Sequence, residues 1–127
     1  MRHVLIADDE GGIRTIIGKV ARMHGWTATE CADGSRLLAE LRSDADADLI
    51  FLDLQMPEMD GIETIQALAG NDLACPIYLM TGGIAENANA AETIGRARGL
   101  KIRDILKKPV SIKDLGKIFQ DSAQDKG

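Results

Sequence analysis

Apolar and polar positions follow two different periods along this chain. Short apolar runs, rich in β-branched and bulky residues, predict strands; they lie at 4–7, 26–31, 49–53, 76–80 and 102–106. After each run, apolar residues recur three and four positions apart, which is typical of an amphipathic helix. The predicted helices lie at 13–23, 37–41, 62–69, 85–98 and 112–119. The chain therefore contains five strand-then-helix units.

This alternation predicts the fold class. Strands separated by helices form a parallel sheet that is covered on both faces, with right-handed crossover connections. A chain of 127 residues suits one such domain, and the sequence contains no internal repeat and no interdomain linker. We expect a single α/β domain over residues 1–120, followed by a polar tail at 121–127.

Polar side chains stand at the carboxyl ends of four predicted strands, where open parallel sheets bind their ligands. The central apolar run ends on Asp53. The alternative to a functional role is that Asp53 caps a helix or forms a turn. Because all the strands are parallel, one sheet edge gathers three carboxylates, one hydroxyl and one ammonium. These groups belong to Asp8, Asp9, Asp53, Thr81 and Lys108.

That set of groups favours phosphoryl chemistry. Carboxylates about 4 Å apart repel each other by roughly 4 kcal/mol at an effective dielectric constant near 20. A cation is needed to offset this repulsion, and an all-oxygen site favours Mg²⁺ over zinc or copper. An Asp carboxylate can then accept a phosphoryl group as an acyl phosphate, with Lys108 and the backbone N–H groups near Thr81-Gly82-Gly83 neutralising its charge.

Composition and charge narrow the function classes. The net charge of -5 argues against non-specific binding to nucleic acid or to an anionic membrane. No apolar run approaches the roughly 20 residues of a membrane span, and the first residues lack a signal-peptide pattern, so we expect a cytoplasmic protein. Cys31 and Cys75 lack metal-ligand spacing and are predicted to be small core residues.

Several motifs together resemble the receiver domain of two-component response regulators, over about residues 4–119. They are Asp8-Asp9-Glu10, Phe51-Leu52-Asp53, Met56-Pro57-Glu58-Met59-Asp60-Gly61, Met80-Thr81-Gly82 and Lys107-Lys108-Pro109. The resemblance implies a CheY-like, flavodoxin-like (βα)5 fold with strand order 2-1-3-4-5.

It also implies roles for individual residues. Asp53 would be the phospho-acceptor, with a sensor histidine kinase or a histidine phosphotransfer protein as donor. Mg²⁺ would be bound by Asp53, by Asp9 directly, by Asp8 largely through water, and by the backbone carbonyl of Gln55. Thr81 and Lys108 would contact the phosphoryl oxygens, and a cis bond would precede Pro109. Lys107, which points the opposite way along its strand, is assigned to the surface.

The sequence departs from the family at the position three residues before the lysine. Receivers usually carry Tyr or Phe there, and its ring relays phosphorylation to the face made by the fourth helix, the fifth strand and the fifth helix; here the residue is Ile105. A group of basic residues lies in the same region, as either a solvated face or a docking surface for an acidic protein. It consists of Arg96, Arg98, Lys101 and Arg103.

We therefore expect a stand-alone receiver that switches protein–protein contacts through the face made by the fourth helix, the fifth strand and the fifth helix. We do not expect it to turn over a substrate as an enzyme. We expect a monomer or a phosphorylation-dependent dimer. One alternative is a degenerate receiver that binds a partner without phosphorylation. A less favoured one is a Mg²⁺-dependent phosphatase with an Asp nucleophile. Such enzymes need an acid two residues after the nucleophile, where this chain has Gln55, and a cap for which it has no room.

Overall fold

Strands and helices alternate strictly in the computed structural model, which describes residues 2–43, 47–56, 61–71, 73–82 and 85–124. The elements in chain order are β1 His3–Ala7, α1 Gly11–Met23, β2 Thr27–Cys31, α2 Gly34–Arg42, β3 Leu49–Asp53, α3 Gly61–Ala69, β4 Pro76–Thr81, α4 Ala85–Ala97, β5 Lys101–Lys107 and α5 Ile112–Gln124. All five predicted strand–helix units are present.

The five strands form one parallel sheet in the order β2-β1-β3-β4-β5. This confirms the predicted fold class and strand order. All five residues of the central strand β3 are buried, as expected for a strand covered by helices on both sides. Its last residue, Asp53, lies beside Met80 of β4.

Two apolar clusters cover the two faces of the sheet. On one face, Leu5, Leu52 and Ile65 belong to a cluster that includes α2, α3 and α4. On the other face, Phe119 of α5 lies at the centre of an aromatic group, with ring centroids 5.3 Å from Trp26 and 5.6 Å from Phe51. Cys31 is fully buried in the first cluster, whereas Cys75 is half-buried and packs against it.

The helix ends explain one difference from the sequence prediction. Gly25 adopts a φ of 81°, a left-handed conformation that glycine reaches without strain. This turn lets the Trp26 N–H donate to the Ala21 carbonyl at 3.0 Å, closing the C-terminus of α1. Trp26 therefore belongs to the helix cap, and β2 begins one residue later than predicted. Ser111 caps the N-terminus of α5, since its Oγ accepts a hydrogen bond from the Asp114 N–H at 3.0 Å.

The edge strand β5 contains a bulge. Ile102 pairs with Ile77 and Asp104 pairs with Tyr78, so Arg103 is the extra residue at the register shift. The extra residue turns Ile102 and Ile105 to the same apolar cluster, although they are three positions apart.

Helix α5 extends into the predicted polar tail. It continues to Gln124, so the first four residues of that tail, 121–124, are helical. Among the residues that the structure describes, no helix has the length and apolar character required to cross a membrane.

Candidate functional site

An open cleft of about 400 Å³ lies at the carboxyl edge of the sheet, where the ends of β1, β3, β4 and β5 meet. Its lining combines acidic, amide and ammonium groups with apolar surface from Ile13 and Pro109. The lining residues are Asp9, Glu10, Ile13, Asp53, Gln55, Gly82, Lys108 and Pro109. The topology thus brings the predicted polar groups to one edge, as the alternating pattern indicated.

Lys108 is the positive centre of this cleft. Its Nζ lies 2.8 Å from Asp8 Oδ2 and 3.1 Å from Asp53 Oδ2, and the more distant Glu10 Oε1 is at 3.7 Å. The Lys108 side chain is only 12% exposed. Burial alone would lower the pKa of its ammonium, but the carboxylates of Asp8 and Asp53 more than offset this and raise that pKa above its usual value.

Asp53 is a buried carboxylate with one oxygen held by a backbone N–H and the other beside the Lys108 ammonium. Its Oδ1 accepts a hydrogen bond from the Gln55 N–H at 3.0 Å. Its Oδ2 lies 3.1 Å from the Lys108 ammonium. Burial, with a contribution from the charge of Asp8, raises the pKa of Asp53 to about 6, although the Gln55 amide and Lys108 oppose the rise.

The loop after β1 presents a cluster of acidic groups. Asp8, Asp9 and Glu10 each offer a carboxylate oxygen within 4.8 Å of the others, and Asp8 is buried whereas the other two are exposed. Asp8 Oδ1 accepts a hydrogen bond from the Glu10 N–H at 2.9 Å, but its Oδ2 accepts none from the described residues. An all-oxygen cluster with one buried and two exposed carboxylates has the chemistry of a Mg²⁺ site.

The ends of β4 and β5 complete the cleft. Thr81 is buried, and its carbonyl accepts a hydrogen bond from the Lys108 N–H at 2.8 Å, which fixes the backbone of the lysine beside it. The peptide bond between Lys108 and Pro109 is cis, as predicted. Gly82 N–H donates to the side-chain oxygen of Gln55 at 3.3 Å, so the loops after β3 and β4 are joined across the cleft.

The structure places Asp8, Asp9, Asp53 and Lys108 together, with Gln55 in the lining and the backbone of Thr81 against that of Lys108. The exposed Lys107 lies outside this group, as predicted.

Sequence reasoning did not select Glu10, Arg14 or the side chain of Gln55. Adjacency to Asp8 and Asp9 was a signal for Glu10, whereas nothing in the sequence signalled the contacts of the other two. The motif residues Glu58 and Asp60, and Gly83, lie outside the described residues.

The chain is similar in sequence to known regulatory proteins. Residues 4–120 match the family model of the response regulator receiver domain. The chain is 31% identical to the regulatory protein AtoC of Escherichia coli over 98% of its own length and 26% of that protein. It is 35% identical to the transcriptional regulatory protein PdtaR of Mycobacterium tuberculosis, over 90% of this chain and 53% of that one. The chain thus spans about half or less of these relatives.

Solved structures show the same architecture. The chemotaxis protein CheY4 of Vibrio cholerae superposes with a TM-score of 0.78 at 28% identity, covering 96% of this chain and 98% of that one. A CheY-like receiver domain protein of Methanospirillum hungatei superposes with a TM-score of 0.82 at 21% identity, covering 98% and 95%. This chain belongs to the response regulator receiver domain family of two-component signalling.

Proposed function

We propose that this chain is a phosphorylation-controlled signalling switch in which Asp53 accepts a phosphoryl group in a Mg²⁺-dependent reaction. The observation that carries the proposal is the position of Lys108, whose ammonium contacts both buried carboxylates, Asp8 and Asp53, at 2.8 and 3.1 Å. This arrangement concentrates charge at an open cleft, where a phosphoryl donor can reach it.

Asp53 is suited to act as the nucleophile. Its Oδ1 is fixed by the Gln55 amide, which leaves Oδ2 as the oxygen without a hydrogen bond from the described residues. With a pKa of about 6, the carboxylate is mostly ionised at neutral pH. In the proposed reaction a bond forms between this carboxylate and phosphorus while the P–N bond to the donor's histidine breaks, and the product is an aspartyl phosphate.

Lys108 and Thr81 would stabilise that product. The Lys108 ammonium, already beside Asp53 Oδ2, needs only a small displacement to pair with a phosphoryl oxygen. Thr81 ends β4 next to the lysine backbone and would contribute its hydroxyl to a second oxygen. Phosphoryl transfer depends mainly on positioning and charge neutralisation, which these groups provide.

The acidic loop fits a Mg²⁺ ion. Receiver domains typically bind Mg²⁺ at such a cluster, and the carboxylate oxygens of Asp8, Asp9 and Asp53 are ligands of the kind that it prefers. We assign direct binding to Asp9, Asp53 and the Gln55 backbone carbonyl, with Asp8 acting largely through water. When bound, the ion supplies positive charge that neutralises the transferring phosphoryl group.

Phosphorylation would then bias a two-state equilibrium through the new contacts of Thr81 and Lys108. Ile105 occupies the position where the family usually carries an aromatic ring, and here it is half-buried against the first apolar cluster. The relay to the α4–β5–α5 face therefore proceeds without a rotating ring. Receiver domains interact with histidine kinases or phosphotransfer proteins. We propose such a donor, a downstream protein at this face, and a cytoplasmic role as a monomer or a phosphorylation-dependent dimer.

Intact-protein mass spectrometry after incubation with acetyl phosphate and Mg²⁺ tests the proposal. We expect one added phosphoryl group in the wild type, and none in Asp53→Asn or in the wild type without Mg²⁺. Because rapid hydrolysis could hide an adduct, a parallel experiment adds beryllofluoride and follows the amide signals of Thr81 and Lys108. The absence of both a phosphoryl adduct and shifted amide signals would overturn the proposal in favour of a phosphorylation-independent binding module.

A further inference from the structure

One side chain outside the cleft lining ties three elements together behind the acidic loop. Arg14, in the first turn of α1, donates from its terminal nitrogen to the backbone carbonyl of Asp8 at 2.7 Å. Its Nε lies 3.4 Å from Glu30 Oε1 at the end of β2. The side chain is mostly buried, with 19% of its surface exposed. A long cation therefore links the helix, the carboxyl end of β1 and the neighbouring edge strand.

The contacts of Asp8 show what this link accomplishes. The Asp8 N–H donates to the Cys31 carbonyl at 3.1 Å, and its carbonyl accepts from Arg14. Its Oδ1 accepts from the Glu10 N–H, and its Oδ2 contacts the Lys108 ammonium. The backbone and side chain of Asp8 are thus fixed from four directions. Of these contacts, only the one from Arg14 is made by a side chain to the Asp8 backbone.

We propose that Arg14 is a positioning residue that sets the orientation of the acidic loop for cation binding, an inference that rests on the proposed function. Its guanidinium fixes the peptide group between Asp8 and Asp9. It therefore sets the direction from which the exposed Asp9 carboxylate leaves the backbone. The Glu30 carboxylate, 3.4 Å from Nε, pairs with the guanidinium through charge, so that Arg14 lies between β1 and β2 before any ion binds.

A positioning role for Arg14 and simple electrostatics predict opposite changes in Mg²⁺ affinity when Arg14 is replaced. Arg14 is a cation close to a site proposed for Mg²⁺, so removing its charge would tighten Mg²⁺ binding if charge were all that mattered. A positioning residue acts the other way, because the acidic loop loses its orientation when the guanidinium is removed. Groups that orient metal ligands contribute about 10- to 100-fold to metal affinity in characterised sites.

Two substitutions separate these effects. Arg14→Met removes the charge and keeps most of the apolar stem, whereas Arg14→Lys keeps the charge and loses the two-sided geometry. Arg22→Met serves as a control because it removes the same charge from the same helix. Arg22 lies in the last turn of α1 and is exposed. Circular dichroism and thermal melts identify a temperature at which all four proteins are folded.

Mg²⁺ affinity of the unphosphorylated protein is measured by isothermal titration calorimetry. We expect the dissociation constant to rise about tenfold in Arg14→Met and by a smaller factor in Arg14→Lys, and to stay within about twofold of wild type in Arg22→Met. Equal or tighter binding by Arg14→Met, or wild-type affinity in Arg14→Lys, would overturn the inference while leaving the proposed function standing. Failure of the wild type itself to bind Mg²⁺ would overturn both.

A second measurement needs no metal. The Glu10 N–H is held by Asp8 Oδ1 at 2.9 Å, so its hydrogen exchange reports the order of the loop. We expect this amide to exchange faster in Arg14→Met than in wild type or Arg22→Met, at the temperature where all are folded. An unchanged exchange rate in Arg14→Met would show that the guanidinium does not orient the loop, and would contradict the inference.

Discussion

Replacing the buried Asp53 carboxylate by the neutral, isosteric amide of Asn is expected to stabilise the protein while abolishing its proposed function. Asp53 is 1% exposed, and its environment raises its pKa from the usual 3.8 to about 6. Each pKa unit corresponds to about 1.4 kcal/mol, so ionised Asp53 destabilises the folded state by about 3 kcal/mol. Asp53→Asn removes this destabilisation, and the side-chain oxygen of Asn can still accept the hydrogen bond from the backbone N–H of Gln55.

The pH dependence gives this prediction a definite sign. Between about pH 4 and pH 6 the folded wild type binds more protons than the unfolded chain at position 53, because the folded pKa is the higher one. Its free energy of unfolding therefore falls as the pH rises through this window, and the loss is complete above it. The advantage of Asp53→Asn should be largest at pH 7.5 and should vanish below about pH 4, where Asp53 is protonated in both states.

Urea denaturation, followed by the fluorescence of the buried Trp26, measures the effect in wild type and Asp53→Asn at a series of pH values. Asp121→Asn, an exposed substitution late in α5, is the control and should change the free energy of unfolding by less than about 0.5 kcal/mol. Mg²⁺ should stabilise the wild type more than Asp53→Asn and narrow the difference between them. Equal or lower stability of Asp53→Asn at pH 7.5, or a difference that does not depend on pH, would refute the reasoning.

Three further substitutions test the packing and charge that support the cleft. Gly61→Ala would place its Cβ 2.8 Å from Leu54 Cδ2 and 3.2 Å from the Leu54 carbonyl oxygen, so we expect the free energy of unfolding, measured by chemical denaturation, to fall by about 1–3 kcal/mol. The control Gly12→Ala, whose Cβ would have nothing within 4 Å, should be neutral or slightly stabilising. Equal effects of the two substitutions would contradict the steric explanation. Phe119→Ala should lower the free energy of unfolding by about 3–5 kcal/mol, since the ring is fully buried among aromatic neighbours, and a loss below about 1 kcal/mol would contradict its central place in the core. Lys108→Met should destabilise the metal-free protein at pH 7.5 by about 3 kcal/mol, because two buried carboxylates lose their counter-ion, and should do so much less at pH 4; a pH-independent loss would point to packing instead.

The parts of the fold that could be predicted from the sequence are those that local patterns determine. The bounds of β3 follow from an uninterrupted apolar run ending on a carboxylate, and the start of α5 follows from the capping residue Ser111. Trp26 was assigned to the wrong element because its apolar character suits both a strand and a helix cap. The choice depends on the left-handed turn at Gly25, which a hydrophobic pattern does not encode.

The bulge in β5 could not be predicted from the sequence pattern either. It depends on how Ile102 and Ile105 reach the same core cluster, which is a property of packing rather than of alternation. Arg96 satisfies the carbonyl of Ile102 beside this bulge, with a hydrogen bond of 2.9 Å that no local rule indicates.

For the site, topology was sufficient to gather the groups but not to describe their contacts. Parallel strands bring Asp8, Asp53 and Lys108 to one edge whatever the details of packing. The link from Arg14 to the Asp8 carbonyl depends on the distance between a helix and a strand end, and only the folded structure supplies it. The same holds for the Gln55 side chain, whose contact with Gly82 joins two loops that are 27 residues apart in sequence.

Localising the phosphoryl group by reductive trapping tests the central proposal most directly. The protein is incubated with acetyl phosphate and Mg²⁺, treated with borohydride, which reduces an aspartyl phosphate to homoserine, and digested for peptide mass spectrometry. We predict homoserine at position 53, dependent on both the phosphoryl donor and Mg²⁺. A phosphoryl group mapped to another residue, or formed equally well without Mg²⁺, would contradict the assignment of Asp53 as the Mg²⁺-dependent acceptor.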